Sequence, residues 1–157
     1  MGDRLFIYYR GTNRRHAKIR REFEPRLSQD QDPRTMAIGL ATLRVDGFAS
    51  VGGSFDGAQL VTKTLKLDGD LLMLNLQADH GQTRVELLDE QGEPLPGWTR
   101  GECVPLEIDS VAGPVIWQGR HSLRELQGRP VKLRFLLTNA RLYSYWTRGT
   151  GEKSTPK

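Results

Sequence analysis

The sequence contains a single cysteine, Cys103, in 157 residues, which excludes an internal disulfide and a cysteine-based zinc cluster. It has no apolar run approaching the ~18 to 20 residues that a membrane helix needs. The opening Met1-Gly2-Asp3-Arg4 lacks the basic-then-apolar layout of a signal peptide, so no export address and no compartment can be read from it. There is no fixed-period repeat, no heptad pattern and no phosphate-cradling loop: Gly52-Gly53-Ser54-Phe55-Asp56-Gly57 lacks the lysine and the following helix of a P-loop. What is present, 37% hydrophobic and 27% charged residues, suits one ordinary folded domain.

Charge is unevenly placed. Residues 1–36 carry nine Lys and Arg against five Asp and Glu, and the remaining residues carry fourteen of each, so the whole formal charge of +4 lies in the first quarter. The basic stretch 10–26 offers Arg14, Arg15, Lys18, Arg20 and Arg21 as candidate polyanion contacts, since clustered cations release condensed counterions on binding. The plainer reading is a solvated linker. Nucleic acid is not expected as a partner, because no aromatic residue interleaves residues 11–22 to stack on bases.

The segment Arg4-Leu5-Phe6-Ile7-Tyr8-Tyr9-Arg10 is dense in aromatic and β-branched residues and stops at Gly11, which predicts a strand detached from the body. Residues 12–35 read as a basic linker or long loop. From Met36 the pattern becomes short apolar runs separated by Gly, Asp and Asn, the rhythm of an all-β sandwich. Strands are expected at 37–45, 59–67, 71–78, 83–88, 104–108, 114–117, 131–138 and 141–146, giving about eight in a jelly-roll-type sandwich over residues 36–147. Alternation is cleanest in Val131-Lys132-Leu133-Arg134-Phe135-Leu136-Leu137 and at Leu72, Leu74, Leu76 and Ala78. Turns are expected at Val45-Asp46-Gly47, Asp68-Gly69-Asp70, Asp79-His80-Gly81, Asp89-Glu90-Gln91-Gly92 and Thr138-Asn139-Ala140. A Ser-capped helical turn is expected at 122–128, and residues 148–157 have the composition of a disordered tail.

Several of these stretches carry a resemblance. Gly39-Leu40-Ala41-Thr42-Leu43-Arg44-Val45-Asp46-Gly47-Phe48 is followed in order by Val85-Glu86-Leu87-Leu88-Asp89, Asp109-Ser110, Val115-Ile116-Trp117, Leu123-Arg124-Glu125-Leu126-Gln127-Gly128-Arg129-Pro130-Val131 and Asn139-Ala140-Arg141-Leu142-Tyr143-Ser144. This series resembles the C-terminal accessory domain of bacterial predicted five-bladed-propeller glycosidases, those related to glycosidase families 32, 43 and 68. The resemblance covers residues 36–147. It implies a β-sandwich packed on a catalytic propeller, with residues 1–11 similar to the propeller's last-blade strand. The propeller and its carboxylates are absent from this sequence, so the chain is expected to be non-catalytic, a fragment or shortened relative of a glycoside hydrolase. The expected partner is a propeller domain on the same or a neighbouring chain. A stand-alone carbohydrate-binding module is the alternative.

Sugars pack their C–H faces on flat aromatic rings, with amides and carboxylates reading the hydroxyls. The aromatic candidates for carbohydrate contact are Trp98, expected half exposed in a loop, and Tyr143 and Tyr145, expected together on the strand face opposite Leu142 and Trp146. An orphaned domain interface is the first reading of that tyrosine face and plain core the second, with glycan contact behind both. Trp117 is expected in the core. Glu86, Asp89, Glu102, Glu107 and Asp109 are available for acid–base work, but no spacing marks a catalytic pair. His16, His80 and His121 assemble no triad or zinc site, and Cys103 reads as packing. No cofactor or metal is expected, apart from a structural calcium that Asp56, Asp68 and Asp70 would hold from loops.

Overall fold

A strand with one buried face needs a period of two, and Pro130–Thr138 alternates half-buried and buried residues along its whole length. In a computed structural model that describes residues 3–12, 36–120 and 122–149, this strand is the centre of one of two four-stranded sheets. The strands are β1 (Arg4–Thr12), β2 (Met36–Arg44), β3 (Val51–Gly53), β4 (Ala58–Val61), β5 (Leu65–Lys66), β6 (Leu71–Gln77), β7 (Gln82–Leu88), β8 (Asp109–Pro114), β9 (Pro130–Thr138) and β10 (Ala140–Arg148). One 3-10 turn, Arg124–Leu126, falls inside the segment expected to be helical. Chain contacts divide the protein into two units, Asp3–Leu43 and Arg44–Lys157.

The second unit is an all-β sandwich of eight strands. One sheet runs β3-β10-β6-β8 and the other is built on β9. Strand β7 pairs along β9 from Gln82↔Thr138 to Leu88↔Lys132, while β4 and β5 share the opposite edge end to end. All these pairings are antiparallel. Leu72, Leu74 and Leu76 of β6 face Val131, Leu133, Phe135 and Leu137 of β9 across one core, each at most 1% exposed. Side chains of that size contribute roughly 1.5–3 kcal/mol each when fully buried.

Where strands depart from expectation the cause is local. The run 59–67 divides into β4 and β5 because the Leu133 N–H donates to the Thr62 hydroxyl at 3.0 Å, a side chain taking the place of a ladder carbonyl. The strands expected at 104–108 and 114–117 reduce to bridges such as Thr83↔Leu106 and Cys103↔Trp117. Pro105 has no N–H to give a ladder, and the regular strand forms beyond it as β8, which ends at Pro114. Strand β3, three residues with two glycines, has too little side chain to announce itself.

The first unit contains a two-stranded sheet of β1 and β2. The strand expected to stand detached thus has a partner, the segment 37–45 that begins the expected sandwich series. Apolar side chains line both strands in the open: Phe6, Tyr8 and Tyr9 on β1, and Met36, Ile38 and Leu40 on β2, with Tyr8 72% and Ile38 81% exposed. The basic residues Arg14, Arg15, Lys18, Arg20 and Arg21, together with His16, His121 and the segment 150–157, lie outside the described residues.

Candidate functional site

Trp98 does not offer a ring to solvent. Its backbone carbonyl accepts the Leu87 N–H at 3.0 Å, which draws the loop onto β7 and turns the indole inward. The side chain is 2% exposed and meets Trp117 edge-on, ring centroids 5.0 Å apart. The indole N–H donates to Glu125 at 3.2 Å, and the Arg120 guanidinium lies 5.1 Å from the ring. The side chain expected half exposed, capping the sandwich edge in the plainer reading, is therefore part of a buried corner of the sandwich. Trp117 is core as expected, its indole N–H donating to the Val85 carbonyl at 3.1 Å.

Tyr143 and Tyr145 are separated by a register shift. Leu142 pairs with Leu76 and Ser144 with Asn75, leaving Tyr143 as the extra residue of a β-bulge. The bulge breaks the expected alternation: Tyr145, 38% exposed, meets core Phe135 at a tilt, ring centroids 5.1 Å apart. Tyr143 instead lies 5.0 Å from the Arg44 guanidinium. The two tyrosines form no common platform.

Arg44 is a residue the sequence reading passed over. Its Nε donates to Asn75 Oδ1, one Nη to Asp109 Oδ1 and the other to the Leu76 carbonyl at 2.9 Å. Asn75, 1% exposed, returns a hydrogen bond to the Val45 carbonyl at 2.7 Å. This polar clamp around buried Asn75 fixes the first residues of the sandwich to its β3-β10-β6-β8 sheet. The sequence signal was present but faint, an asparagine opposite three leucines on β6.

Of the carboxylates considered for acid–base chemistry, Glu86, Asp89, Glu102 and Asp109 are engaged in holding the fold. Glu86, 4% exposed, accepts from Arg134 across strands at 2.8 Å. Asp89 accepts the Gly92 and Glu93 N–H groups, closing the expected turn. Glu102 accepts the Thr99 N–H and hydroxyl, and these bonds hold its carboxyl below the ordinary glutamate value. Its stabilisation is therefore complete above the ordinary glutamate pKa and fades as pH falls through the depressed one. Glu102→Gln is expected to flatten the acid limb of the curve of melting temperature against pH, and an unaltered limb would count against this cap.

Of the loop aspartates considered for calcium, Asp70 is tied to Arg124 at 3.0 and 3.2 Å and to Gln127 at 3.1 Å, and Asp68 accepts from the Thr147 hydroxyl. Among the described residues no three His, Cys, Asp or Glu side chains converge to hold a metal ion. Burial pushes the Cys103 thiol up, and the Val85 N–H donates to its sulfur at 3.2 Å, the setting of an unreactive thiol.

A concave feature of the sandwich lies at one end, where β3 and the turns β6–β7 and β9–β10 meet in an open cleft of ≈ 510 Å³. Its lining is mainly polar: Ser50, Gln77, Asp79, His80, Asn139 and Arg141 supply the side chains. Asn139, at φ 44°, donates through its side chain to the His80 carbonyl at 2.6 Å and through its N–H to the Ser54 carbonyl at 2.9 Å. One residue thus stitches three loops together. Both aspartate and asparagine turns were legible in the sequence, but nothing in their spacing says that they meet.

Fold and site together define an all-β sandwich protein with a polar end cleft and a separate apolar ribbon. No protein-family model, no curated protein and no solved structure matches this chain.

Proposed function

We propose that this chain is the non-catalytic accessory β-sandwich of a glycoside hydrolase, and that it docks on a five-bladed-propeller catalytic domain through the β1–β2 ribbon. The observation that carries this reading is the ribbon's exposed apolar surface. An isolated pair of strands is marginal in water, and exposed apolar surface of this kind marks an interaction site. Propeller blades are four-stranded sheets, so two further strands on the partner would satisfy the ribbon's open edges and cover its side chains. The resemblance of residues 1–11 to the last-blade strand of such a propeller, and of the stretch from residue 37 to the junction that follows it, supports the same partner.

The test is calorimetric titration of the full chain into a five-bladed-propeller glycosidase domain lacking its own C-terminal strands. Saturable binding is expected, and the double substitution Ile7→Lys with Ile38→Lys should weaken it by about 100-fold or more, as central apolar anchors do. The melting temperature of the sandwich should not change. No binding by the parent chain, or equal binding by the variant, rejects the ribbon as the docking surface.

A further inference from the structure

We propose that the end cleft of the sandwich binds the hydroxyl-bearing edge of a neutral saccharide. The site lies wholly within the second unit and does not depend on the docking reading above. Its frame is rigid for stated reasons. A Cβ on Gly81 would lie 2.1 Å from the Thr138 carbonyl oxygen, and one on Gly53 would lie 2.3 Å from that of Leu137, so backbones close on each other without room to slide. Asn139 holds a left-handed conformation, which asparagine adopts readily in a tight turn, and its bonds to the His80 and Ser54 carbonyls tie the neighbouring loops together. A preordered cleft loses little entropy when a small ligand enters.

The chemistry of the lining selects the ligand. Among the described residues the side chains of Gln77 and Arg141 make no hydrogen bond within the protein, and both are exposed. Asp79 and His80 lie 3.7 Å apart with 41% and 86% of their side chains exposed. Donors and acceptors therefore face solvent side by side, a pattern that matches hydroxyl groups, each of which both donates and accepts. One carboxylate and one guanidinium in the same cleft oppose an anion and a cation alike. An apolar ligand finds little to pack on.

The experiment is an amide NMR titration of the full chain with millimolar lactose, maltose, cellobiose, xylobiose and a fructo-oligosaccharide, with a sulfated disaccharide as the charged counterpart. At least one neutral sugar is expected to shift amides at 52–53, 79–81 and 139–141 in a saturable way. Asp79→Ala and Arg141→Ala, both at exposed positions, should weaken that binding on the order of tenfold each while leaving the melting temperature unchanged. Gln77→Ala should weaken it less, which guards against an unforeseen folding effect in either charged variant. The proposal is overturned by no shifts across the neutral sugars, by shifts confined to other surfaces, or by affinity unchanged in both charge-removing variants. Preference for the sulfated disaccharide overturns it as well, since a neutral ligand is its substance.

Discussion

Replacing Trp117 with alanine is expected to cost about 3–5 kcal/mol of stability, the range for emptying a large aromatic site in a core. The indole is 1% exposed and its ring is the surface on which Trp98 rests edge-on. Its N–H also satisfies the Val85 carbonyl, in the middle of the β7 ladder, so the substitution leaves a buried acceptor as well as a void. For a sandwich of this size the loss should lower the thermal midpoint by on the order of 10–20 °C. Phe55→Ala is the matched control, because a ring 76% exposed should change stability by about 0.5 kcal/mol or less. Urea unfolding followed by fluorescence and circular dichroism would compare them. A Trp117→Ala loss no larger than that of Phe55→Ala would show that the two-tryptophan corner carries little of the core.

Gly81→Ala is expected to be the most damaging single-methyl change in the protein. The added carbon would stand 2.1 Å from the Thr138 oxygen and 2.4 Å from the Asn139 oxygen, and both are backbone atoms held in a turn. No flexible side chain is there to yield, so the loop must move and the cost should reach the overpacking range, about 1–3 kcal/mol or above. Gly92→Ala separates sterics from backbone preference, since Gly92 has φ 97° and nothing within 4 Å of the added carbon. That control should lose only the left-handed penalty of roughly 1–2 kcal/mol. Amide exchange should also quicken at Asn139 in Gly81→Ala and not in Gly92→Ala. Equal stabilities and equal exchange in the two variants would mean that the β6–β7 and β9–β10 turns do not lock.

Much of the architecture was legible because the physics that sets it is local. Period-two alternation marks β6 and β9, Asp89 closes its turn with its own carboxylate, and Asp46 and Asn139 take up positive φ in the turns assigned to them. The candidate site was far less legible. Trp98 lies in a loop of Pro and Gly, and only a hydrogen bond from Leu87, eleven residues earlier, makes it core rather than rim. Tyr143 and Tyr145 look like neighbours on one face until a bulge, set by pairing with a strand some seventy residues away, reverses the count. The cleft depends on the meeting of β3, Asp79-His80 and Asn139-Arg141, segments that only the folded sheets bring together. Long-range pairing is what a single sequence hides best.

The position of β9 and β10 within the sheets has a consequence for how the protein is made. Strand β9 is the hub on which β4, β5 and β7 all pair, and β10 lies between β3 and β6 in the opposite sheet. These two hubs are the last strands of the sandwich to leave the ribosome. Until residues 130–148 emerge, the earlier strands hold their apolar faces and open edges without the partners that complete them, and closure must draw together segments some seventy residues apart. The nascent sandwich is therefore most prone to aggregate after β8 has emerged and before β9 and β10 follow, and chaperone demand should peak in that window.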